Sequence, residues 1–239
     1  MISDRFYHFW VGVLDAFLWG GELVGEEHLP EKGPAVFVAN HLGAWGPIAV
    51  MASMPTRLYP WIIGEMMDPA RAADYLNMDF TEKQLHLRPP LSVALSRLLT
   101  KITIPMFEAM GCIPVWQGEK LHETYRQSVE YLRAGKCLLI FPEDPHQPLD
   151  GRYKMSPFMK GFTRLGELYY QQMGECLRFY PLSVHAETYR VQVGKPVSFN
   201  PNQPLAQERL RLKSVLEASV REMYWNMCLD GYLSVPLPR

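Results

Sequence analysis

The chain has 239 residues, 48% of them hydrophobic and 12% aromatic, which fits one sizeable α/β domain and excludes a disordered polymer. A formal net charge of -1 excludes a globally basic nucleic-acid binder, so any cationic site must be local. The four cysteines, Cys112, Cys137, Cys176 and Cys228, form no CxxC pair and no metal-ligand spacing, and Cys112 and Cys137 fall in apolar runs expected to hold buried thiols in a reducing compartment.

Residues 5–20 read as a helix, with Phe6, Trp10, Val13, Leu14 and Phe17 at helical spacing and Phe9, Leu18 and Trp19 widening the apolar face. The apolar start lacks a basic leader and a cleavage site, and it is too short and too polar, with His8 and Asp15, to span a bilayer. It suits either a membrane interface or a helix packed on the domain. Glu22 to Gly33 is a polar lead-in ending in the turn signal Glu31-Lys32-Gly33-Pro34. Ala35 to Ala39 is a continuous apolar run, expected as a strand buried on both faces. Gly43 to Met51 is expected to open a helix near Gly46 and Pro47, and Leu58 to Ile63 to form a second strand.

Met66 to Pro90 is rich in charge and patchy in period, and reads as an excursion, either a lid over a pocket or a solvated insertion. From Leu91 to Met110 the chain is again amphipathic: Leu91, Leu95, Leu98 and Ile102 share a face, and Pro105 interrupts or kinks it. Cys112 to Trp116 is the third strand. Glu119 to Ala134 is a helix with Leu121, Tyr125, Val129 and Leu132 inward and Gly135 after its end. Cys137 to Phe141 is the fourth strand, stopped by Pro142. Ser156 and Pro157 signal the N-cap and first residue of a helix ending at Met173. Strands follow at Phe179 to Val184 and Tyr189 to Val193. A last helix runs from Leu205 to Met227 with Leu212, Leu216, Val220, Met223 and Met227 inward, and the tail from Asp230 to Arg239 is expected to be loosely held.

Alternation of strands and helices predicts a single-domain α/β fold with a mostly parallel, helix-covered sheet. In such folds ligands gather at the strand C-termini. Two polar clusters occupy such positions: Asn40-His41 after AVFVA, and Glu143-Asp144-Pro145-His146 after CLLIFP. If the two strands are parallel neighbours, His41 and Glu143 meet. A histidine there can act as a general base, because its pKa lies near neutrality. Asp144 and His146 flank a proline as a possible second acid–base pair, and no third ligand with diagnostic spacing suggests a metal. No GxSxG elbow suggests a serine hydrolase.

Taken in order, GEEHLPEKGPAVFVANH (25–41), Gly111-Cys112-Ile113-Pro114-Val115, Phe141-Pro142-Glu143, Lys160-Gly161 and Tyr180-Pro181-Leu182 resemble the glycerolipid acyltransferase family, which includes the lysophosphatidic acid acyltransferases. The resemblance runs from about Phe6 to Tyr224. It implies an acyltransferase-like fold and no cofactor. It also implies acyl transfer from acyl-CoA or acyl carrier protein, as co-substrate, to the hydroxyl of a lipid acceptor, with no nucleic acid as partner. His41 would deprotonate the acceptor, Glu143 would position it, and backbone N–H groups would stabilise the oxyanion. Asn40, Gly111, Gln117, Phe141, Pro142, Asp144, His146, Lys160 and Pro181 would line the substrate. A cytoplasmic protein, peripheral at the inner membrane face, is the corresponding expectation.

The chain departs from the family's pattern where it matters chemically. The Asp that orients the histidine is Gly46, the second-motif Arg is Gln117, and the third motif's Gly-Thr-Arg is Asp144-Pro145-His146. Losing two arginines removes bidentate grips on phosphate, and Asp144 adds negative charge, so the expected acceptor is not a simple glycerol phosphate. In triad enzymes loss of the orienting carboxylate lowers kcat by about 10⁴. Two expectations follow: an acyltransferase with an altered acceptor pocket, or a non-catalytic relative that binds lipid or acyl chains. Lys160, before Gly161, is the expected anion contact, whereas Arg152 and Lys154 read as a solvated face.

Overall fold

A computed structural model describes residues 4–14, 16, 20–43, 45–83 and 85–233. Its elements in order are α1 (Asp4–Leu14), β1 (Glu22–Val24), β2 (Ala35–Ala39), α2 (Trp45–Ser53), β3 (Leu58–Ile63), α3 (Ala72–Leu76), α4 (Leu91–Met110), β4 (Ile113–Val115), α5 (Leu121–Arg133), β5 (Cys137–Ile140), α6 (Arg164–Met173), β6 (Arg178–His185), β7 (Arg190–Val193), β8 (Val197–Ser198) and α7 (Leu205–Leu233). The fold is α/β with a mostly parallel sheet flanked by helices, as expected. Contacts divide the chain into two compact units, one of residues 59–128 and one of 4–58 and 129–233 among the described residues.

In the larger unit β2 lies between β5 and β6, and all five of its residues are buried. It pairs in parallel with β5 on one side, Val38 opposite Ile140, and with β6 on the other, Val38 opposite Pro181. β6 pairs antiparallel with β7 and β8, and β7 pairs in parallel with β1. An apolar run with no alternation is what a strand covered on both faces requires. α7 packs on β6 through Leu212, Leu216, Val220, Met223 and Met227, all buried as expected. β1 lies in the stretch read as polar lead-in; three residues are too few to show a period.

α1 covers the first part of the helix expected over 5–20; Asp15, Phe17, Leu18 and Trp19 lie outside the described residues, as does 234–239 of the tail. Among the described side chains of α1, Tyr7 and Val11 are buried. The buried guanidinium of Arg57 stacks 5.0 Å from the Tyr7 ring and pairs with Asp4 at 2.8 Å, which fixes the start of the helix. No described helix is long and apolar enough to cross a membrane.

In the smaller unit β3 and β4 pair in parallel, Trp61 opposite Ile113. The excursion expected over 66–90 is largely helical: a 3₁₀ turn at Gly64–Met67, α3, and a π turn at Asn77–Glu82, all packed on α4. Pro105 lies inside α4 without ending it. Gly111, expected to line substrate, is the left-handed residue (φ 81°) that ends α4, with Gly111 N–H on Glu108 O and Cys112 N–H on Phe107 O. Those two bonds make a Schellman cap, in which glycine avoids a Cβ clash. Gln117 is exposed at the N-cap of a 3₁₀ turn before α5.

One element differs from its expectation near the site. Residues 157–163 do not begin an α-helix: Phe158 bridges Glu143 antiparallel, and the chain turns 3₁₀ only at Gly161–Thr163 before α6. Pro157 at a helix start is a real preference, but here Pro157 O is taken by the Asp144 N–H at 2.9 Å and Met159 N–H by Pro142 O at 2.7 Å. A ladder to the segment after β5 outcompetes the helix.

Candidate active site

Because β2 and β5 are parallel and in register, the chain leaves both strands at the same edge. His41 and Glu143 meet there. The His41 backbone N–H donates to Glu143 Oε1 at 2.6 Å, and the Ser156 N–H donates to Oε2 at 2.8 Å. Glu143 therefore ties three chain segments, residues 41, 143 and 156, at one carboxylate. Burial raises its pKa above the ordinary carboxylate value, opposed by these two amides and by Arg221. Arg221 also holds Asp150 at 2.9 Å and Glu217 at 3.1 Å, while Glu217 accepts the Phe158 N–H at 3.1 Å. The ladder that carries Glu143 is thus fastened to α7. Sequence reasoning did not connect Ser156, Glu217 or Arg221 to the site; the i, i+4 spacing of Lys213, Glu217 and Arg221 was the available signal.

His41 itself is exposed, and its ring meets Phe141 edge-on at 5.2 Å. Two left-handed residues follow it, Leu42 (φ 45°) and Gly43 (φ 62°). For a leucine that conformation is strained, and such strain concentrates at functional turns. Asn40 is fully buried. Its side-chain amide donates to Val184 O at 3.0 Å and accepts from Val184 N–H at 2.8 Å, so it faces β6.

Gly46 is more than a missing carboxylate. A Cβ at this position would lie 2.0 Å from His41 O and 2.9 Å from Asn40 O. The first turn of α2 is pressed onto the backbone of Asn40 and His41, and only glycine fits. The backbone here has closed over the space a side chain would need.

The other expected residues fall as follows. Pro142 is buried and accepts from Met159 in the ladder. Asp144 Oδ1 accepts the His146 backbone N–H at 3.0 Å, an Asx turn, so the two are joined through backbone rather than through the exposed imidazole. Lys160 is exposed at the N-cap of the 3₁₀ turn leading into α6, four residues beyond the expected start. Pro181 is a buried residue of β6. Gly111 and Gln117 belong to the smaller unit. Arg152 and Lys154 are exposed, as expected of a solvated face; the Arg152 guanidinium stacks 3.9 Å from the Trp225 ring, and Lys154 pairs with Glu187. Among the described residues, no group of three or more His, Cys, Asp or Glu is close enough to hold a metal ion.

No family model and no curated protein matches the sequence. The structure is similar to a solved one, that of the 1-acyl-sn-glycerophosphate (LPA) acyltransferase PlsC from Thermotoga maritima, with a TM-score of 0.55 and 14% identity, covering 100% of this chain and 86% of that one. At that identity the likeness establishes the fold, and the fold is that of PlsC. The chemistry at the edge of β2 and β5 rests on this chain's own residues.

Proposed function

We propose that the protein is an acyltransferase that moves a fatty acyl group from acyl-CoA or acyl carrier protein to a hydroxyl of a lipid-like acceptor other than a simple glycerol phosphate. The observation that carries this reading is the 2.6 Å bond from His41 N–H to Glu143, which joins the two polar motifs at one edge of the sheet. His41 is the base. It abstracts the acceptor's hydroxyl proton while the oxygen attacks the thioester carbonyl; the thiol leaves and the ester forms. Glu143 positions the histidine by fixing its backbone, and its contact with the acceptor is part of the proposal. PlsC is a 1-acyl-sn-glycerophosphate (LPA) acyltransferase, and the shared fold makes a lipid acceptor the natural comparison. Gln117, Asp144 and His146 in place of the resemblance's phosphate-gripping residues argue for a different head group.

A second reading, a non-catalytic relative that binds lipid or acyl chains, is favoured by one observation: Gly46 leaves no room for any orienting side chain. Purified protein is incubated with acyl-CoA and a panel of hydroxyl acceptors while free CoA is followed. Release that depends on acceptor and vanishes in His41→Ala supports the enzyme. Equal background release by both proteins, with saturable acyl-CoA binding retained, supports the binding protein.

A further inference from the structure

α4 is amphipathic the wrong way round for a packed helix. Its buried residues are Ser92 and Ser96, while Leu91, Leu98 and Ile102 are 61%, 57% and 61% exposed. A step of about 100° per residue places those three within an arc of about 40°. Met106, also exposed, extends the stripe along the helix. The buried side of α4 is already covered by α3 and the turns at 64–67 and 77–82, so the stripe faces outward from an intact unit. Leaving three large aliphatic side chains in water forgoes the burial that usually stabilises such a helix, and contiguous exposed apolar surface marks an interaction site.

Charge selects the occupant. From Lys83 to Phe107 the sequence holds Lys83, Arg88, Arg97 and Lys101 and not one Asp or Glu, in a protein of net charge -1. Lys83 pairs with Asp79 at 3.4 Å. Arg88, Arg97 and Lys101 are exposed. Arg97 and Lys101 stand one turn apart on one flank of the stripe, about 80–120° round from its centre. Glu108, exposed near the C-terminal end of α4 on the same flank, is the one carboxylate of the helix. Aliphatic side chains with two cations alongside match an acyl-chain boundary beneath anionic head groups.

We propose that α4 is a membrane-docking element that seats Leu91, Leu98, Ile102 and Met106 in the interface of an anionic lipid surface, with Arg97 and Lys101 on the head groups. The site stands on the smaller unit alone and holds whether or not His41 turns over substrate. The full chain is sedimented, without acyl donor, with vesicles of equal parts phosphatidylcholine and phosphatidylglycerol and with vesicles of phosphatidylcholine alone. Wild type binds the first, binds the second more weakly, and is released by salt. Arg97→Gln with Lys101→Gln weakens binding to the anionic vesicles about 30-fold, at about 1 kcal/mol per cation. Leu98→Gln with Ile102→Gln weakens binding to both vesicle types by roughly 100-fold. Both variants keep the wild-type melting temperature, because the positions are exposed.

Wild-type affinity in both double variants overturns the proposal, as does wild type that binds neither vesicle. So does binding abolished only by Phe9→Gln, which would move docking to α1. A wild-type dimer that Leu98→Gln with Ile102→Gln turns into a monomer in the absence of vesicles would make a second copy the occupant, and overturns it too. Since no turnover is measured, any of these failures leaves the acyl-transfer reading to its own assay.

Discussion

Two histidines sit at the ends of adjacent parallel strands, and their surroundings are opposite. His41 follows β2, is exposed, and is held by its backbone while its ring meets the edge of Phe141. His185 ends β6 and is 3% exposed. Its Nδ1 accepts from the Thr188 N–H at 3.2 Å, which leaves Nε2 to carry the proton toward Cys228 Sγ at 3.1 Å. A ring whose acceptor nitrogen is already taken by a backbone amide cannot accept a proton from the thiol without losing that bond. His185 and Cys228 therefore make a buried structural contact, not a nucleophile and base. A strand-end histidine is a candidate base only when its ring is left to the solvent side.

Replacing the two in turn should separate activity from stability. His41→Ala is expected to lower acceptor-dependent CoA release by about 10²–10⁴-fold, the usual contribution of a general base, with unfolding free energy within about 0.5 kcal/mol of wild type. His185→Ala should do the reverse: a lower denaturation midpoint and a specific activity, per folded molecule, near wild type. If both variants lose activity alike at equal stability, the contrast between the histidines is wrong.

Gly46→Asp tests whether the missing carboxylate can simply be put back beside His41. The 2.0 Å approach to His41 O predicts no gain in CoA release and a loss of about 3 kcal/mol in chemical denaturation. A stable and faster variant would mean that α2 can shift to admit the side chain.

Glu143→Gln sharpens the claim that His41 is positioned through its backbone. One amide oxygen replaces two carboxylate oxygens, so either the residue 41 or the residue 156 N–H meets an NH₂ group. The expected cost is about 2 kcal/mol by denaturant titration, with a fall in kcat. Amide exchange at residues 41 and 156 should speed up together, which a role in acceptor contact alone would not produce.

The smallest effect is on pH. Burial pushes His185 below the ordinary histidine value, with Glu187 opposing and Lys154 reinforcing the shift. The unfolded chain then binds a proton first, near pH 6.5. The stability this residue contributes is full above about pH 6.5 and is lost as pH falls below it, at up to about 1.4 kcal/mol per pH unit. Melting temperature followed over about pH 5–8 should fall on the acid side, and His185→Gln should flatten that limb.

Much of the site could be read before the structure. Two apolar runs with no alternation, 35–39 and 137–140, announced strands covered on both faces, and parallel neighbours bring the residues after them together. The tie at Glu143 could not be read, because Ser156 and Pro157 carry a valid helix-start signal that loses to a tertiary ladder. α4 shows the same limit. Periodicity put Leu91, Leu95, Leu98 and Ile102 on one face, but period carries no sign: Leu95 is half-buried and the other three are exposed. Gly46 read as a lost partner, whereas the structure makes it a close approach of two backbones. His185 drew no notice because burial, not spacing, defines its state.

Asn40 has a consequence for engineering. Its carboxamide stands in for one peptide group against Val184, so β2 makes its last rung to β6 with a side chain while its main chain is free to leave. Beyond it the chain is tied to the rest of the fold by the His41 N–H on Glu143 and by the close approach of Gly46 to His41 O rather than by the ladder of the sheet. Changes of composition between His41 and Trp45 should leave the strand order intact as long as Asn40, His41 and Gly46 stay, which makes the rim around His41 a place where new acceptor specificities can be built onto an unchanged scaffold.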